Sequence, residues 1–132
     1  MATLTEDYVS LETAKLLKEK GFDIPVWTYY ENDDYEIVID NEIIFGSTRN
    51  WNNSSTRYIS APTQAMVMKW LREEHNIAIN IGWGEIFEDK FQWWCIILNY
   101  KDGSILRESE YYATYEEAAE AAIKYCLEEN LI

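Results

Sequence analysis

The longest apolar run in the chain, residues 91–100, alternates without ever presenting a polar side. Trp94, Ile96, Leu98 and Tyr100 share one face of an extended strand, and Trp93, Cys95 and Ile97 share the other. A strand apolar on both faces needs cover on both, or a partner on one, so this stretch predicts the central strand of an antiparallel sheet. Residues 77–83 show the clearest period of two. Ile77, Ile79, Ile81 and Trp83 lie on one face, against Ala78, Asn80 and Gly82 on the other. A loop containing Gly84, Glu85, Glu88, Asp89 and Lys90 is expected between these strands. Asp102-Gly103 is a hairpin signal, after which residues 105–112 return as a charged edge strand. A two-residue turn there would set Tyr100 against Ile105, Leu98 against Arg107 and Trp94 against Tyr111.

Three helices are predicted from a period near 3.6 and from end signals. Ser10 is an N-cap before the stripe Leu11, Ala14 and Leu17, and Gly21 with Phe22 reads as the stop. A second helix opens over residues 58–64, with Pro62 in its first turn and Ser60 or Ala61 near the cap. It buries Met66, Val67, Trp70 and Leu71 and stops at Asn76. Thr114-Tyr115-Glu116-Glu117 is a capping box that starts the last helix. Its face of Ala118, Ala119, Ala122, Ile123, Cys126 and Leu127 is small enough to sit close on a sheet rich in tryptophan. Residues 26–30 and 35–39 predict a hairpin across Glu31-Asn32-Asp33-Asp34, and residues 50–56 read as a polar loop anchored by Trp51.

These elements predict an α+β fold. An α-β-β-β-α half at residues 61–132 forms an antiparallel sheet under two helices, and residues 1–60 add a helix, a β-hairpin and a loop to the same domain. With 132 residues and 48% hydrophobic content the chain is long enough to bury a core. The formal charge of −13 is spread over both halves, with no basic patch, which argues against direct binding to a phosphate backbone. One histidine and two distant cysteines exclude the usual zinc spacings and give no disulfide framework. Cys95 and Cys126 are expected as buried thiols, or as a pair if the last helix packs over Cys95. The N-terminus lacks the basic and apolar regions of a secretory signal, and no apolar run is long enough to span a membrane, so a reducing cytoplasm is the expected setting.

The helix-strand-strand-strand-helix order resembles the topology of double-stranded-RNA-binding domains. Those modules use basic side chains near the start of the last helix, where this chain carries Glu116, Glu117 and Glu120. The layout is retained as an expectation and RNA binding is set aside. Ser10-Leu11-Glu12-Thr13-Ala14-Lys15-Leu16-Leu17-Lys18-Glu19-Lys20-Gly21-Phe22, Ala61-Pro62-Thr63-Gln64 with Lys69-Trp70-Leu71-Arg72-Glu73, and Thr114-Tyr115-Glu116-Glu117-Ala118 are similar to small proteins of tailed phages and prophages of gut bacteria. That resemblance implies a phage-borne intracellular protein and assigns no catalytic residue.

Candidate chemistry is sparse. Glu36, Asp40 and Glu42 share strand parity, spaced about 6.6 Å per same-face step where they are nearest neighbours. Such a row fits either a solvated outer face or a mimic of nucleic-acid phosphates that inhibits a host DNA- or RNA-binding protein. Glu85, Glu88 and Asp89 lack calcium-loop spacing, and His75 has no nucleophile beside it, so no cofactor, no metal and no catalytic residue is expected. Trp27, Tyr29, Trp51, Trp83, Trp93, Trp94, Tyr111 and Tyr112 exceed what two thin helices need to cover. Whatever aromatic surface the N-terminal elements leave uncovered is a surface for another protein or for a second copy of the chain. The leading expectation is therefore a non-enzymatic accessory protein. It would bind an unidentified, basic protein through Trp27, Tyr29, Glu36, Asp40, Glu42, Trp51 and Trp93, with acidic mimicry and a homo-oligomeric structural role as the alternatives.

Overall fold

The computed structural model describes residues 7–31, 34–39, 48–54 and 56–132, which divide into two compact units, 1–63 and 64–132. Helices and antiparallel sheets account for both units, so the fold is α+β.

In the first unit, helix α1 (Leu11–Glu19) begins where Ser10 Oγ accepts the Thr13 N–H at 3.2 Å. It ends as its sequence requires. Gly21 takes φ +84°, the Gly21 N–H reaches Lys18 O at 3.2 Å and the Phe22 N–H reaches Leu17 O at 2.9 Å. Phe22 then turns into the core beside Leu17. Strands β1 (Thr28–Glu31) and β2 (Val38–Ile39) pair antiparallel, with Thr28 opposite Ile39 and Tyr29 opposite Val38, as the hairpin reading expected.

Two departures follow. Residues 58–60 do not open a helix. They form strand β3 (Tyr58–Ser60), which pairs with β1 to give the order β2-β1-β3. Pairing with β1 decides this, and Pro62 agrees with it, because the residue before a proline is held extended. Ala61 therefore continues the ladder, its N–H donating to Thr28 O at 3.0 Å. The polar stretch around Trp51 is not all loop either, since α2 (Trp51–Ser54) makes one helical turn.

In the second unit, α3 (Gln64–His75) starts beyond Pro62 and ends at Asn76 in the left-handed conformation, φ +57°. The sheet order is β4-β5-β6, from β4 (Ile77–Phe87), β5 (Lys90–Asn99) and β6 (Ile105–Glu108), with β5 central as expected. Helix α4 (Tyr115–Glu128) is capped by Thr114 Oγ1, which accepts the Glu117 N–H at 3.1 Å. Its small-residue face is buried with Cys95 and Ile97 of β5, and α3 lies alongside it, with Ile77 of β4 in the same core. Both helices thus cover the odd-numbered face of the sheet.

Two details of this sheet differ from the sequence reading. Residues 84–87 extend β4, and only Glu88-Asp89 turn the chain, with Asp89 at φ +59°. Leu98 faces Ile105, not Arg107. The Asn99 carbonyl accepts the Gly103 N–H at 2.8 Å, so the turn begins two residues earlier than Asp102-Gly103 alone implies. The side chains of Asn99 and Asp102 accept the Lys101 and Ser104 N–H groups and hold that longer turn. A bulge in β6 follows, and the chain recovers its register by Tyr112, which bridges Trp93. Trp94 and Tyr111 consequently meet, as predicted, with ring centroids 6.3 Å apart at 90°.

Candidate functional site

Two of the residues proposed from sequence as a binding surface are buried within the first unit. Trp51 is fully buried, its Nε1–H donating to Val26 O at 2.9 Å, and Tyr29 is 6% exposed. With Tyr58 they form a three-ring cluster with centroids 4.2–5.4 Å apart. Tyr29 and Trp51 are core residues and leave the candidate surface. Burial of the indole removes more apolar area from water than any other side chain of that loop offers, which is why the loop folds onto it. Trp27 is 39% exposed. Glu36 is exposed, its N–H donating to Asp34 Oδ1. Asp40 and Glu42 lie outside the described residues. Trp93 is half-buried where the helix cover ends, its ring edge-on to Tyr115 at 5.5 Å. His75 is held edge-on against Trp70 at 4.6 Å, and Glu85 Oε1 accepts the Asp89 N–H at 3.0 Å, closing the turn. Among the described residues no three His, Cys, Asp or Glu side chains converge as metal ligands would.

The side chains that do converge lie mostly outside the set proposed from sequence. On the even-numbered face of β4 and β5, away from the helices, β4 contributes Ala78, Asn80, Gly82 and Gly84 opposite Leu98, Ile96, Trp94 and Gln92. Gly82 and Gly84 make room for the indole of Trp94, which lies across β4. A Cβ at residue 82 would stand 2.5, 2.6 and 2.7 Å from Cε2, Cζ2 and Nε1 of Trp94, and one at residue 84 would stand 3.4 Å from Cη2. The sequence signal was available: two glycines two residues apart on one face, in register with a tryptophan.

Beside this indole is a cleft of about 280 Å³ lined by Glu85, Ile86, Trp94, Ile96, Glu108 and Tyr111. Ser109 completes it, its hydroxyl already engaged with the Cys95 N–H and the Glu110 carbonyl. Glu108 is directly opposite Ile96 and shares its face. Arg107 is on the reverse face, its guanidinium 4.1 Å from the Tyr125 ring centroid, and Lys90 sits over Phe87 at 5.5 Å. The cleft is therefore apolar and aromatic at its base, with the Glu108 carboxylate on its wall and the neighbouring cations turned to other rings. Towards the β4–β5 turn the strands outrun the helices. Trp83 and Phe91 stack at 4.9 Å there, and Trp83 and Tyr111 are 55% and 54% exposed.

The two cysteines are buried thiols, as expected. Burial raises both, and Cys126 is pushed from its ordinary 9.0 up to about 12, with the nearby Cys95 adding to the rise. A thiol is neutral when protonated, so the unfolded chain gives up this proton first. The contribution of Cys126 is whole below pH 9 and declines as pH rises towards 12, at about 1.4 kcal/mol per pH unit. Urea titrations from pH 8 to pH 10 should show that extra slope in the native protein and not in Cys126→Ala. Equal slopes in the two proteins would mean that the thiol is not held in its neutral form.

No family model matches the chain, and searches of curated proteins and of solved structures return no match either.

Proposed function

We propose that this protein is a non-enzymatic accessory protein, of phage type and acting in the bacterial cytoplasm, that binds a basic segment of another protein on the open face of the β4–β5–β6 sheet. The observation that carries the reading is the Trp94–Tyr111 cleft, an aromatic surface built on two glycines and walled by Glu108. Exposed aromatics flanked by an unneutralised carboxylate match a cationic, partly apolar partner, and a net charge of −13 favours its approach. No helix in the described residues is long and apolar enough to cross a membrane. The phosphate-mimic reading rests on the row Glu36, Asp40 and Glu42, of which the exposed Glu36 alone is among the described residues.

The test is an amide NMR titration with a short lysine- and arginine-rich peptide at physiological salt, against an acidic peptide of equal length. Shifts confined to the even-numbered residues of β4 and β5 and to residues 105–111 are expected from the basic peptide alone. Shifts scattered over every acidic surface would overturn the reading. So would a dimer in sedimentation velocity that survives high salt and is lost in Trp94→Ser, since the face would then serve self-association.

A further inference from the structure

We infer that the cleft beside Trp94 is a seat for a single arginine side chain, the guanidinium stacking on the indole while its edge donates to Glu108. The inference rests on the protein-binding reading above and names the group that the face recognises. Size is the first argument. A space of about 280 Å³ lies just below the roughly 300–1,000 Å³ of sites for drug-sized ligands, and suits one long side chain.

Shape is the second argument. Gly82 and Gly84 let the indole lie flat across β4, and Tyr111 stands at 90° to it, so a flat surface meets an upright wall. A planar, weakly hydrated guanidinium fits a flat aromatic surface, whereas a compact, strongly hydrated ammonium gains less from one.

Charge is the third. Glu108 makes no salt bridge among the described residues, and its neighbour Arg107 is committed to Tyr125 on the reverse face. A carboxylate beside an aromatic floor presents paired acceptors to the forked donors of arginine. Ile86 and Ile96 offer apolar cover to its methylene stem.

Three peptides test this, identical except for one central residue, in a lysine–serine background: arginine, lysine or citrulline. Citrulline keeps the planar shape and removes the charge. The arginine peptide should bind about tenfold more tightly than the citrulline peptide and several-fold more tightly than the lysine peptide, and should quench Trp94 emission. Glu108→Gln should erase most of the preference for arginine while the peptides still shift the open face. Gln is close in size to Glu and the site is exposed, so the variant folds, which its unchanged far-ultraviolet circular dichroism would verify. Equal binding of all three peptides on the open face would overturn the arginine seat and leave the protein-binding reading standing. Absence of binding to that face by any of them would overturn both.

Discussion

Trp51→Ala should cost the protein about 3–5 kcal/mol of stability, read as a lower urea midpoint by circular dichroism. The indole is fully buried, packs 4.2 Å from Tyr29 and 5.4 Å from Tyr58 by ring centroid, and donates to Val26 O. Its removal leaves a large cavity and an unpaired carbonyl, and the second alone costs about 1–3 kcal/mol. Trp51→Phe separates the two contributions by keeping a ring and losing the donor, and should fall between the alanine variant and the native protein. Asn52 ties the same turn down independently, its side chain donating to Phe22 O and accepting from the Ser60 N–H. A loss below about 1 kcal/mol for Trp51→Ala would show that the residue is not in the core and would return it to the candidate surface.

Gly82→Ala should cost about 1–3 kcal/mol and displace the Trp94 ring, with a shift in tryptophan emission and loss of the peptide response at the cleft. One added methyl meets three indole atoms at 2.5–2.7 Å, closer than real side chains pack, so the ring must lift off β4. Gly84→Ala is the matched comparison. Its Cβ meets Trp94 at 3.4 Å, an ordinary contact, and the cost should stay within about 1 kcal/mol. Equal, small effects at both positions would mean that the indole does not rest on Gly82. The cleft would then lose the floor on which the arginine seat depends.

The two variants bear on different questions. Trp51 tests how the first unit holds its irregular segment, and Gly82 tests whether the open face of the second unit is built for a planar group. An aromatic laid over glycines gives up the backbone restraint that a β-branched residue at 82 would supply. What it gains is a smooth apolar plane beside a carboxylate, which a sheet of alternating large side chains does not offer.

Much of this architecture was readable locally. Ser10, Gly21 and Thr114 mark helix ends through bonds made within a turn or so of chain, and all three behave as their residue types require. The period of two in residues 77–83 and the doubly apolar run at 91–100 place two strands and the centre of the sheet. The Trp94–Tyr111 pairing follows from counting outward from the turn, even though the turn is longer than assumed and a bulge restores the count. Other features depend on partners far along the chain. Whether Trp51 is inside or outside depends on Val26 and Tyr29, and composition cannot rank six tryptophans and ten tyrosines by depth. Residues 58–60 have strand composition and helix punctuation at once, and pairing with β1 decides between them. The flat placement of Trp94 over Gly82 exists only once β4 and β5 are in register, because it is the absence of a side chain on one strand that positions a side chain on the other.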